Sequence, residues 1–152
     1  MCGIIGITSN KEVTSRIVNS LKKLEYRGYD SAGIATLKKG FIQEVKCEGR
    51  VEKLEKNISK IGLQGNIGIG HVRWATHGKP STINAHPHSS DKVSVVHNGI
   101  IENSTILKKV LENKGYIFKS ETDTEVIAHL VTDYLKKNNL KNTIIKVLKK
   151  LH

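Results

Sequence analysis

The chain has 152 residues, 38% of them hydrophobic, and a formal charge of +11. That length suffices for one domain with a real core and falls short of two ordinary ones. No apolar run approaches the roughly 20 residues of a membrane span, and residues 1–7 lack the basic flank and length of a secretory signal, so a globular, cytoplasmic protein is expected.

The charge by itself would suit a polyanion binder, because clustered lysine and arginine release counterions from phosphates. Here the basic residues come mostly as scattered pairs, among them Lys22-Lys23, Lys38-Lys39 and Lys136-Lys137, on polar helix faces or in a turn and without interleaved aromatics. They read as solvated surface, so neither a nucleic acid nor a membrane is expected as partner.

In chain order, Gly3 to Ile7 is a short apolar run with two glycines, which suits a buried strand closely approached by another backbone or a ligand. Val13, Ile17, Leu21 and Leu24 recur at spacings of four and three, predicting a helix over residues 12–26. Residues 31–37 and 41–48 read as two strands joined by a Lys38-Lys39-Gly40 hairpin turn. Cys47 lies on the face of the second strand that carries Phe41, Gln43 and Val45, so a buried reduced thiol is expected there. Val51, Leu54, Ile58 and Ile61 predict a helix closed by Gly62.

A strand follows over residues 67–74, then a long aperiodic stretch over 75–91, dense in Thr, His, Gly, Pro and Asn. Loops of that length inside a compact domain are usually functional. Residues 93–97 read as a strand running into Asn98-Gly99, and Asn103-Ser104 as the cap of a helix that stops at Gly115. A short strand over 116–119 leads to Thr122-Asp123-Thr124-Glu125, which has the form of a capping box. Two more helical stripes complete the chain, the last through Ile144, Ile145, Leu148 and Leu151. This order implies an α+β domain, a mainly antiparallel sheet with helices packed on it.

Removal of Met1 would make Cys2 the first residue, with thiol and α-amine in one residue. A free amine titrates near ~8 and a thiol near ~8.5, so the amine can take the thiol proton without a distant histidine. From position alone, Cys2 could equally be a small packing residue.

Three polar clusters decide between these readings. The first spans His71-Val72-Arg73-Trp74-Ala75-Thr76-His77-Gly78 and continues through Asn84 to His88. Arginine can grip a carboxylate through two parallel hydrogen bonds, although a surface ion pair for Arg73 and a core position for Trp74 are the plain alternatives. The histidine spacings match no common zinc pattern, so no metal is expected. In the second cluster, Asn98-Gly99 suits a type I′ turn, but it also offers two adjacent N–H donors of the kind that stabilise a tetrahedral oxyanion. In the third, Asp123 either sits favourably at a helix N-terminus or receives a ligand ammonium. A nucleophile, two oxyanion donors, an arginine and an aspartate together describe a site for an α-amino acid attacked at a side-chain carbonyl. Glutamine fits that description.

At this point the motifs are recognisable. Cys2-Gly3-Ile4, the run from Leu24 through Tyr26-Arg27-Gly28-Tyr29-Asp30-Ser31-Ala32-Gly33, His71 to Gly78, Asn84 to His88, Val96 to Asn103 and Ser120 to Leu130 together resemble the class II glutamine amidotransferases. The wording is similar to the glutaminase domain of the fructose-6-phosphate-aminating branch rather than to the phosphoribosylamine-forming or asparagine-forming branches.

The resemblance implies an N-terminal-nucleophile hydrolase fold, an αββα sandwich, and hydrolysis of L-glutamine to glutamate and ammonia without a cofactor. It implies Cys2 as nucleophile, Asn98 and Gly99 as oxyanion hole, Arg73 and Asp123 on the glutamine backbone helped by Thr76 and His77, and Trp74 beside substrate and ammonia channel. It further implies a partner sugar-phosphate isomerase domain, absent from this chain, and homo-oligomeric full-length members. Residues 2–152 would then be a glutaminase domain truncated at its C-terminus, its sandwich incomplete. The alternative reading is a catalytically incomplete fragment that binds glutamine or regulates, and needs a partner chain.

Overall fold

The computed structural model describes residues 1–76 and 78–152. The chain runs β1 Gly3–Thr8, α1 Thr14–Leu24, a 3-10 turn Glu25–Arg27, β2 Ser31–Lys38, β3 Phe41–Glu48, α2 Val51–Ile61 and β4 Ile67–Arg73. It continues with β5 His88–Ser90, β6 Val93–Val95, α3 Ser104–Glu112, α4 Glu125–Leu135 and α5 Leu140–Leu148. One sheet has the order β1-β4-β2-β3 and the other is the pair β5-β6, with every pairing antiparallel.

The first helical layer forms because Val13, Ile17 and Leu21 recur every four residues and are all fully buried. They pack with Leu54 and Ile58 of α2 on the sheet face carrying Ala32, Ile34, Val45, Cys47 and Val72. Cys47 is free and buried there, its thiol pushed up chiefly by that burial. Helix α2 starts where Glu25, from the 3-10 turn, accepts the Val51 N–H at 2.7 Å, a carboxylate at a helix N-terminus. It ends as expected on Gly62 in the left-handed conformation, φ 70°. The hairpin turn likewise has φ 50° at Lys39 and 84° at Gly40, the positive pair a type I′ turn requires.

The glycines of β4 let α1 settle onto the sheet. A Cβ at Gly70 would lie 2.6 Å from Ile17 Cγ2 and 3.0 Å from Leu21 Cδ1. Gly70→Ala is therefore expected to lower unfolding free energy by about 1–3 kcal/mol, the usual cost of overpacking. Urea denaturation measures this, and an unchanged midpoint would mean that α1 is not closely seated.

On the far side α4 packs against β5 and β6, with Thr132 Oγ1 donating to Ser90 O at 2.8 Å. Val126, Leu130 and Val131 form a second core with Leu111 and Val147 from α3 and α5. The two sheets face each other between these helical layers, giving the αββα order. The inter-sheet space holds histidines: His86 stacks on His71 with centroids 4.3 Å apart and meets His88 edge-on at 4.6 Å. Gly33 makes room for this, since a Cβ there would collide with the His86 carbonyl.

Several local expectations give way to other partners. Residues 116–119 form no strand; the Lys119 N–H goes to the Glu125 carboxylate at 2.9 Å, and the Tyr116 and Phe118 rings pack on His129. The capping box does not form either. Thr124, not Thr122, precedes α4, while Thr122 Oγ1 bonds His88 Nε2 at 2.9 Å and Glu125 takes the Ser120 N–H and hydroxyl at 2.7 Å each. Asn103 precedes α3 without a side-chain cap and instead binds Lys150 O and the His152 N–H. The strand expected over 93–97 pairs only through Val95, and the stretch 75–91 contains the three-residue β5. Among the described residues no helix is long and apolar enough to cross a membrane.

Candidate active site

Strand pairing sets the site. Ile4 is opposite His71 and Gly3 opposite Val72, so the register carries Cys2 to the level of Arg73. Gly3 and Val72 point to the helices. Alternation along each strand then turns Cys2 and Arg73 to the other face, toward the second sheet.

There a cavity of about 270 Å³ opens, lined by Cys2, Arg73, Trp74 and Thr76 from the first sheet and its exit, and by Asn98, Gly99 and Asp123 from the second half of the chain. That is room for on the order of nine waters, the scale of a single small amino acid rather than a nucleotide. Cys2, Arg73, Trp74, Thr76, Asn98, Gly99 and Asp123, the described residues given a site role in the sequence, all line it; His77 lies outside the described residues.

Cys2 Sγ accepts the Trp74 N–H at 3.4 Å, and the Arg27 Nε donates to the Cys2 carbonyl at 3.0 Å. Met1 precedes Cys2, is 76% exposed and also lines the cavity, so the Cys2 nitrogen is here a peptide nitrogen. Arg73 is 3% exposed and donates through Nη2 to Gly78 O at 3.1 Å, which rules out the surface ion pair. Trp74 is half exposed at the mouth, its ring edge-on to Tyr29, and so is not a core residue.

The Asn98-Gly99 segment is not a type I′ turn. Among the described residues positive φ occurs at neither position, and a helix rather than a returning strand follows. Asp123 fixes the segment from one side by accepting the Ile101 N–H at 2.7 Å. On the other side the His97 ring lies beneath Gly99, where a Cβ would come within 2.7 Å of Nε2. His97 Nδ1 is in turn 3.2 Å from Thr124 Oγ1. The start of α4 thus holds in place the backbone that presents the Asn98 amide and the Gly99 N–H.

Sequence reasoning assigned no role to His86, which also lines the cavity. Its place depends on Gly33 leaving space and on stacking with His71, neither of which has a local sequence signal. Burial above all lowers His71 to about 4 and His88 to about 3, and it depresses His86 in the same direction. These three rings are neutral at pH 7, so they supply no charge that would hold a carboxylate.

The depressed values make stability depend on pH. Unfolded histidines bind protons below about 6.5, whereas these stay neutral in the folded chain down to about 4 and 3, so their contribution is present above pH 6.5 and is lost as pH falls. Unfolding free energies from urea denaturation are expected to fall from pH 7 to pH 5, by up to about 1.4 kcal/mol per pH unit for each such ring. A flat profile over that range would show that the rings protonate in place. Among the described residues no group of three or more His, Cys, Asp or Glu could hold a metal ion.

Two layers of helices enclosing two sheets, with a cysteine just ahead of the edge strand β1 and facing the cleft, define an N-terminal-nucleophile hydrolase sandwich. A family model described as the glutamine amidotransferase domain matches residues 72–151, and the chain belongs to that family. It is 56% identical over 153 residues to glutamine–fructose-6-phosphate aminotransferase (isomerizing) of Clostridium acetobutylicum, across 99% of this chain and 25% of that protein. It is 58% identical over 137 residues to the protein of the same name from Brucella abortus, across 90% of this chain and 23% of that one. The solved glutamine phosphoribosylpyrophosphate amidotransferase from B. subtilis, complexed with ADP and GMP, superposes with a TM-score of 0.80 at 31% identity, covering 99% of this chain and 33% of that one. The chain spans about a quarter of the length of the curated relatives it matches.

Proposed function

We propose that this chain hydrolyses L-glutamine to glutamate and ammonia with Cys2 as nucleophile. The observation that carries the reading is an amino-acid-sized cavity on which the Cys2 sulfur, Arg73, Asp123 and the Asn98-Gly99 pair converge.

In this reading Arg73 holds the α-carboxylate and Asp123 the α-ammonium, with Thr76 and His77 assisting at the carboxylate end. The side-chain carboxamide then points back at sulfur. After loss of Met1 the α-amine of Cys2 takes the thiol proton, and the thiolate attacks the amide carbon. A C–S bond forms while the carbonyl electrons move onto oxygen, where the Asn98 amide and the Gly99 N–H receive them. Collapse breaks the C–N bond, and the proton held by the amine leaves with ammonia. Water, deprotonated by the same amine, then attacks the thioester, releasing glutamate and restoring the thiolate. Trp74 at the mouth borders the path by which ammonia departs.

Within this reading residues 2–152 form the glutaminase part of a longer cytoplasmic chain, in which a sugar-phosphate isomerase domain receives the ammonia and transfers it to fructose 6-phosphate. The names of the aminotransferase relatives and their greater length support that placement. The test is release of glutamate and ammonia from glutamine by the purified chain with Met1 removed, with asparagine as control. Equimolar glutamate and ammonia from glutamine support the reading. Calorimetric binding of glutamine by the processed chain with no ammonia released would replace it with a binding role.

A further inference from the structure

We propose that Asp30 is a positioning residue that sets the reactivity of the Cys2 sulfur by orienting the Trp74 peptide. This rests on the reading of that sulfur as the nucleophile. The segment from Arg27 to Asp30 lies alongside the chain where it leaves β4, and besides the edge-on Tyr29 and Trp74 rings the contacts fall on the backbone of residues 73–75. The Asp30 N–H donates to Arg73 O at 3.2 Å, and its carboxylate Oδ2 accepts the Ala75 N–H. Asp30 therefore grips the chain on both sides of Trp74. Gly28 presses against the same peptide: a Cβ there would stand 2.5 Å from the Arg73 carbonyl carbon and 2.7 Å from the Trp74 nitrogen. The backbone at Gly28 is extended, φ −177°, so glycine is needed for this approach and not for its conformation.

The N–H so oriented is the Trp74 N–H, which points at Cys2 Sγ, 3.4 Å away. The other end of the nucleophile is tied from the same segment by Arg27, through the Cys2 carbonyl. The Trp74 carbonyl also faces the sulfur, 3.7 Å away, and accepts from the thiol form, but the N–H is the nearer group, and a donor aimed at sulfur favours the thiolate over the thiol. Asp30 is itself held, with Oδ1 accepting the Ser31 hydroxyl at 2.9 Å and its carbonyl accepting the Gly49 N–H at 2.7 Å. It touches no cavity space, so it acts through Trp74.

The experiment follows alkylation of Cys2 by iodoacetamide across pH, assigned by peptide mass to Cys2 rather than Cys47, in the unsubstituted chain, Asp30→Ala and Asp30→Asn. Asp30→Ala is expected to alkylate about tenfold more slowly at pH 7, the scale of one hydrogen bond to a charged group. The deficit should close near pH ~9.5, where any ordinary thiol is ionised. Asp30→Asn, which keeps an acceptor for the Ala75 N–H, should lie within about threefold of the unsubstituted chain. Should Asp30→Ala not fold, judged by its urea transition, Gly28→Ala takes its place and is expected to show the same pH-dependent deficit. An Asp30→Ala rate equal to or above that of the unsubstituted chain, a deficit constant across pH, or an Asp30→Asn rate as low as that of Asp30→Ala overturns the proposal. Alkylation reads the sulfur directly, so failure of the unsubstituted chain to hydrolyse glutamine would sink the underlying reading without altering this comparison.

Discussion

Cys2→Ala is expected to reduce glutamine hydrolysis by on the order of 10⁴-fold or more, the scale seen when an enzyme loses its nucleophile. Binding should survive, because in the proposed arrangement Arg73 and Asp123 hold the amino-acid end of the substrate and the sulfur meets only the carboxamide. The fold should survive as well: Cys2 is only partly buried, lies ahead of β1, and adds no side chain to either core. Calorimetry with glutamine and a urea transition near that of the unsubstituted chain would establish both. A variant that still releases ammonia at a tenth of the original rate would require a different nucleophile. Cys47 is the other thiol, but it lies buried on the helix-facing side of β3 and lines no part of the cavity.

Retention of Met1 is the second large effect. With Met1 in place the Cys2 nitrogen is an amide, which neither accepts nor delivers a proton near neutral pH, so nucleophile and base can no longer reside in one residue. A form carrying an N-terminal tag, or one expressed without removal of Met1, is expected to lose on the order of 10²–10⁴-fold in kcat, the usual contribution of a general base. The Met1 side chain, which lines the cavity, should raise KM for glutamine at the same time. Cleaving the extension back to Cys2 should restore both constants. A tagged form with full activity would exclude the amine as base, and a neighbouring group such as His97 would then have to be tested.

The sequence made the locally determined parts of the fold legible. Helix α2 and its glycine stop, the β2–β3 hairpin and the α1 stripe follow from spacing over a few residues, and the structure has them within a residue or two of the expected bounds. The misreadings share a cause. Thr122, Glu125 and Asn103 have the local form of caps, yet their polar groups go to His88, Lys119 and Lys150, partners fixed only once the second half of the chain is folded. The turn reading of Asn98-Gly99 failed for the same reason, since Asp123 and His97 dictate its conformation.

The polar clusters at the ends of elements were visible as residue types, but not their meeting point. That depends on β1 pairing with β4 in the register that places Cys2 level with Arg73, a long-range fact. Arg27, Gly28 and Asp30 were equally visible as part of a motif. Their work on the Trp74 peptide appears only in the contacts between that segment and the end of β4.

The most direct measurement traps the covalent intermediate. Acid quenching of the Met1-free chain during turnover of glutamine, followed by peptide mass analysis, should find a glutamyl group on the peptide that begins with Cys2 and nowhere else. Turnover with that peptide unmodified, or a glutamyl group on any other residue, would contradict the account.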